Sequence, residues 1–138
     1  MSHSYASNRI HLVFSTKHRE RRTSEELQAK LWAYMAGIAR NHDFEAIKVG
    51  GVEDHAHALL VLPATMPLAK AIQTLKGCSS KWLNETATAG FSWQEGYGAF
   101  SVSASQTEGV VAYIENQRVH HAKRSFEEES LLRTSVLG

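Results

Sequence analysis

Apolar and polar positions alternate from Arg9 to Ser15, with Ile10, Leu12 and Phe14 on one side and His11, Val13 and Ser15 on the other, as in a half-buried strand. A basic loop from Lys17 to Arg22 follows. Thr23 then precedes Glu26 by three positions, a capping-box spacing, and Leu27, Leu31, Tyr34, Met35 and Ile38 share one face of a helix that should end near Asn41. Phe44 to Val52 reads as a second strand. Glu53 and Asp54 turn the chain into a third, His55 to Leu62, after which Pro63 and Pro67 mark the entry to another helix with Leu68, Ile72, Leu75 and Trp82 inward. A loop rich in Thr, Ala and Gly leads through Trp93 to a fourth strand around Tyr97 to Ser103. A last helix runs from about Ser105, three before Glu108, to about Phe126, with a short polar tail beyond.

Strand, helix, strand, strand, helix, strand and a C-terminal helix is the order of a split βαβ, ferredoxin-like α+β fold. Such a fold has an antiparallel sheet with two helices on one face and the other face available to a ligand or an extra helix. With 138 residues, 43% of them hydrophobic, the chain suffices for one core, and neither a repeat nor a linker divides it. The expectation is one domain, its core spanning about residues 9–126.

Chemistry enters at the third strand. His55 and His57 are two apart and leave the same side of the sheet, while Ala56, Ala58, Leu60 and Leu62 point to the helix-covered side. Two imidazoles so placed can share one divalent ion, although many His-x-His pairs lie on plain surface strands. On the C-terminal helix Tyr113, Gln117, His120 and Arg124 form a polar stripe, and Val110, Val111 and Ile114 supply an apolar side. Laid over the open face, that helix would bring Gln117 to the histidines as a third ligand and Tyr113 near them as a nucleophile. A solvated face with a half-buried tyrosine fits the spacing as well. Nothing marks a base for the Tyr113 proton.

Composition changes the picture in three places. The histidine count of eight is high for this length, but His3, His18 and His42 fall in loops or ends. A single cysteine, Cys78, rules out an intrachain disulfide, and with no secretory pattern at Met1 to Ile10 a reducing cytoplasm is the expected setting. No apolar run approaches the roughly 20 residues that span a bilayer, so no membrane partner is expected. The formal charge of +1 gives no support to nucleic-acid binding by itself, yet it averages over basic clusters and the acidic run Glu127 to Glu129.

At the chemistry-bearing residues the chain resembles a known family. VEDHAHALLVLP is similar to the His-hydrophobe-His motif, and AYIENQRVHH to the Tyr-x-x-x-Gln helix, of the single-tyrosine HUH transposases of small bacterial insertion sequences and their relatives associated with repetitive palindromes. IHLVFSTKHR, KGCSSKW and WQEGYGAFSVS extend the likeness in the family's order from about Arg9 to Phe126. Ala56 is smaller than the Val or Ile usual between the histidines, and Arg9-Ile10 stands where an aromatic residue commonly precedes the first-strand histidine. Neither departure removes a chemical group.

The resemblance implies that His55, His57 and Gln117 hold Mg²⁺ or Mn²⁺ while Tyr113 attacks single-stranded DNA, leaving a 5′-phosphotyrosine link and a free 3′-hydroxyl. A phenol with a reference pKa of about 10 is a reasonable leaving group for the reverse step. No nucleotide cofactor is required, since one phosphodiester is exchanged for another. The resemblance further implies a homodimer and recognition of DNA hairpins at element ends, with Ser103, Ala104 and Gly109 a plausible flexible connection for exchanging the tyrosine helix. Candidate phosphate contacts are Lys17, Arg19, Arg21 and Arg22 in the first loop, Lys76 and Lys81 on the second helix, and Arg118, His120, Lys123 and Arg124 on the last. Trp93, Tyr97 and Phe100 are stacking or core aromatics. Two other classes compete: a non-catalytic RRM-like module that binds hairpin nucleic acid on its sheet face, and a hydrolytic metalloenzyme indifferent to Tyr113.

Overall fold

The computed structural model describes residues 8–117. Four strands, β1 (Arg9–Ser15), β2 (Glu45–Val52), β3 (His55–Val61) and β4 (Gly98–Val102), pair antiparallel in the order β2-β3-β1-β4. This is the expected ferredoxin-like α+β sheet. Helices α1 (Glu25–Asn41) and α2 (Leu68–Thr86) cover one face, and α3 (Thr107–Glu115) covers the other.

The main core lies under α1 and α2. Ile10, Leu12 and Phe14 meet Ala56, Ala58 and Leu60 from the sheet, and Leu31, Met35, Ile38, Ile72, Leu75 and Leu83 from the helices. Two inward positions differ from the periodicity. Leu83 rather than Trp82 is buried, and Trp82 instead stacks on Tyr34 at 4.7 Å between ring centres. The α1 cap also moves by one: Ser24 accepts from the Leu27 N–H, while Thr23 turns inward to donate to the Glu53 carbonyl. Ser24 wins because Thr23, only 2% exposed, is needed to tie the start of α1 to the end of β2.

The start of α3 departs in the same way. The capping box is Ser103 with Gln106, followed by one tight turn, Ala104–Gln106, and not Ser105 with Glu108. Val102 ends β4, so the chain must turn at once, and Ser103 is the first residue able to cap. The seam between Ser103 and Gly109 is therefore a capped turn running into helix. The expected helix beyond residue 117 lies outside the described residues.

The expectation of a half-buried β1 holds for the pattern but not for the exposure. His11 and Val13, on the face opposite the main core, are 0% and 4% exposed. A second small core lies on that face, with Leu59 and Val102 of the sheet against Val110 and Ile114 of α3, flanked by Ile47 and Val111, and the His11 ring packs against Phe100 and Tyr113. Gly50 sets how close α3 comes. A Cβ at this position would meet the Ile114 carbonyl oxygen at 2.9 Å and Ile114 Cγ2 at 2.8 Å. Gly50 pairs with His57, so the helix rests directly beside the histidine strand. Gly50→Ala is expected to lower the unfolding free energy by about 1–3 kcal/mol, the usual cost of overpacking. Urea unfolding measures it, and an unchanged midpoint would show that α3 does not rest on this glycine.

Candidate active site

Sheet register and the docked helix bring four sequence-predicted residues together. His55 and His57 project from β3 toward α3, and both are buried. From α3, Tyr113 lies with its ring centre 5.7 Å from that of His57, edge to face, and Gln117 at its end is 1% exposed. The Gln117 amide N–H donates to the Tyr113 carbonyl at 3.0 Å, which turns Oε1 toward His55 Nε2, 3.3 Å away. All four belong to one chain.

The donor chemistry suits a cation. Asp54 Oδ1 lies 2.8 Å from His55 Nδ1, so a neutral His55 ring carries its proton on Nδ1 and donates it to the carboxylate. Nε2 then presents a lone pair toward the Gln117 oxygen, which is itself an acceptor. Two electron-pair donors facing each other across a buried gap are what a divalent ion satisfies. The centres of the His55 and His57 rings are 5.0 Å apart, and His57 Nδ1 is engaged by His11 Nε2 at 2.9 Å, so Nε2 is the ring nitrogen that could take a cation. Among the described residues no three His, Cys, Asp or Glu side chains converge as a cation site. The amide oxygen of Gln117 is the group that could stand third beside the two imidazoles.

The basic loop begins where the site ends. Ser15 pairs with His55, and the next residue, Thr16, donates its N–H to the Asp54 carbonyl at 2.8 Å. Beyond it, Lys17, His18, Glu20, Arg22, Gly90 and Ser92 line a cleft of about 260 Å³. Both His18 and Arg19 are in the left-handed region, at φ 58° and 56°. Adjacent non-glycine residues in that region are strained, and the strain is held by Thr16 Oγ1 donating to the Glu20 carbonyl and by Gln94 Oε1 accepting the His18 N–H. Lys17 and Arg21 are exposed, whereas Arg22 donates to the Ala89 carbonyl and pairs with Glu20.

On α2, Lys81 is exposed, but the Lys76 ammonium donates to the carbonyls of Gln94 at 2.7 Å and Gly96 at 3.0 Å, above the Phe14 ring. Burial holds the Lys76 pKa below the usual lysine value, with Glu95 pulling it back up. Geometrically it anchors the loop before β4. Trp93 packs edge-on against Phe14 and donates to Ser79, Phe100 faces His11 at 6.2 Å between ring centres, and Tyr97 stands 49% exposed. Arg118, His120, Lys123 and Arg124 lie outside the described residues.

The periodicity gave no role to Asp54, Thr16 or Gly50, and left His11 undecided. Each did carry a signal: an acid directly before His-x-His, a hydroxyl at the strand end, a Gly-Gly pair inside a strand, and a histidine on the site-facing side of β1.

With this geometry in view, the family model described as "Transposase IS200 like" matches residues 4–117. The chain belongs to the IS200-like transposases. A Deinococcus radiodurans R1 protein assigned as a transposase is 23% identical, with a TM-score of 0.67 over 85% of this chain and 96% of that one. A REP-associated tyrosine transposase, solved bound to a REP hairpin, is 16% identical, with a TM-score of 0.62 over 88% of this chain and 73% of that one. At these identities the two structures establish a shared fold. No curated protein sequence matches the chain. Among the described residues no helix is long and apolar enough to cross a membrane.

Because Lys76 holds the 94–96 loop, Lys76→Met is expected to cost about 1 kcal/mol of stability in urea unfolding. The salt dependence of DNA affinity should stay as in the parent protein. A salt slope reduced by about one would identify Lys76 as a phosphate contact instead.

Proposed function

We propose that this transposase cleaves and rejoins single-stranded DNA at the ends of its element through a 5′-phosphotyrosine intermediate on Tyr113. The observation that carries the reading is the convergence of Tyr113 with His55, His57 and Gln117 beneath one helix of one chain. Tyr113 Oη forms a bond to phosphorus as the bond from phosphorus to the 3′ oxygen breaks. The phenol loses its proton and the departing 3′ oxygen gains one. Rejoining reverses the exchange, with a 3′-hydroxyl attacking and the phenol leaving, so the energy of the phosphodiester is conserved and no nucleotide cofactor is needed. His55, His57 and Gln117 would hold Mg²⁺ or Mn²⁺, whose charge stabilises the developing negative charge on the phosphate and helps orient it.

The chain's own groups do the positioning. Gln117 is fixed by its bond to the Tyr113 carbonyl, so nucleophile and third ligand move as one unit. Since Tyr113 already faces the histidines of its own chain, catalysis within one subunit is the arrangement proposed, and a homodimer would bring two such sites to the two element ends. The partner is single-stranded DNA carrying a hairpin, in the cytoplasm, as the hairpin-bound relative suggests. Lys17, Arg19, Arg21 and Arg22 at the mouth of the loop cleft, Lys81 on α2, and Arg118, His120, Lys123 and Arg124 supply candidate phosphate contacts. The alternative RRM-like module would need its sheet face exposed. On that face Tyr113 of α3 lies against the His11 and His57 rings, and Leu59 packs with Val110 and Ile114, which favours the enzyme.

Incubating the protein with Mn²⁺ and a single-stranded end oligonucleotide should give a protein-DNA adduct on a denaturing gel. Tyr113→Phe should abolish the adduct while hairpin binding persists. An undiminished adduct would show that another residue is the nucleophile, and undiminished cleavage without any adduct would leave the hydrolytic reading. His57→Ala should reduce cleavage at least a hundredfold, and full cleavage by this variant, or in chelator, would remove the metal assignment.

A further inference from the structure

We propose that His11 and Asp54 are positioning residues that fix the tautomers of the two histidine ligands. The inference rests on the reading of His55, His57 and Gln117 as a metal site. His11 lies on β1, and Asp54 is held by Thr16, the residue that follows that strand. His11 lies opposite Leu59, two positions along from His57, so the two imidazoles are diagonal neighbours on one face, and Nε2 of His11 is 2.9 Å from Nδ1 of His57. The His11 ring is 0% exposed and packed between His57, Phe100 and Tyr113, with no room to swing away. Asp54 belongs to the β2-β3 turn, where its carbonyl accepts the Thr16 N–H at 2.8 Å and Thr16 Oγ1 at 3.2 Å, while its carboxylate meets His55 Nδ1 at 2.8 Å.

The tautomer decides whether the site works. A metal-ligating histidine needs a lone pair on the ligating nitrogen, so its proton must sit on the other one. For His55 the wrong tautomer has a ready partner: a proton on Nε2 would point at Gln117 Oε1, 3.3 Å away, and join two ligands to each other. The Asp54 carboxylate opposes that closure by holding the proton on Nδ1. His11 does the same for His57 by accepting from Nδ1 through its own Nε2, a weaker acceptor than a carboxylate. The two ligands are thereby made unequal, and His55, polarised by a full negative charge, is the stronger donor.

Full-length protein titrated with Mn²⁺ alone, followed by the loss of the free-ion electron paramagnetic resonance signal, tests the proposal without reference to cleavage. Asp54→Ala and His11→Phe are each expected to weaken Mn²⁺ binding about 10- to 100-fold. Asp54→Asn and His11→Gln retain an acceptor and should bind within a few-fold of the parent. His57→Ala is the control for the site itself: if it binds Mn²⁺ as the parent does, the metal reading fails. If it loses Mn²⁺ while Asp54→Ala and His11→Phe bind normally, the positioning roles fail and the metal reading stands. Nitrogen-15 NMR of the unsubstituted, metal-free protein gives a second decision that does not depend on any variant folding. The protons of His55 and His57 are expected on Nδ1, and finding either on Nε2 overturns the proposal.

Discussion

A missing side chain governs this structure. Gly50 sits on β2 beside His57, and because nothing projects from it, the backbone of α3 comes to rest at Ile114 within a distance no Cβ would permit. That contact fixes the height of the helix above the sheet. Tyr113 precedes Ile114 on this helix and Gln117 follows just past its end, so their distance from the histidines follows from it. The apolar group of Leu59, Val102, Val110 and Ile114 supplies the attraction, and the ion pair of Lys48 with Glu115, at the surface, adds little. Attraction without the glycine would hold the helix at the wrong height.

The sheet contributes in a different way on each strand. β3 presents His57 and His55 and β2 the flat seat, while His11 of β1 meets His57 and Thr16, just past β1, ties down the Asp54 turn. The order β2-β3-β1-β4 makes this possible, because it puts β3 between the seat and β1. It also places the end of β1, and with it the basic loop, beside His55. Charged groups and the buried donors are thus neighbours by topology although they are far apart along the chain, which is why a formal charge near zero says so little about this protein.

Much of this was legible because period and face are local properties. The alternation in β1, the His-x-His spacing and the Val110, Val111, Ile114 stripe each follow from the dihedral repeat of a single element, and each appears in the structure on the face it indicates. What the pattern could not supply were relations between elements. Ser24 displaces Thr23 as a cap because Thr23 is claimed by Glu53 of the sheet, and Lys76 looks like a surface cation until the 94–96 loop folds over it. Gly50 is unremarkable in sequence because its role is a distance to a helix more than sixty residues away. His11 shares the site face by periodicity, but its bond to His57 is likewise a relation between elements.

Burial of the site carries the last step. His11, His55, His57 and Gln117 are each no more than 2% exposed, and replacing such a set with aliphatic side chains would spare the fold the cost of enclosing polar groups. A chain selected for stability alone has no reason to place four of them in contact, which supports the proposed chemistry. The same burial imposes a condition on the proposed reaction. Any phosphate that reaches these donors would have to enter where α3 meets the sheet, and among the described residues that helix is seated on an apolar patch separate from the main core.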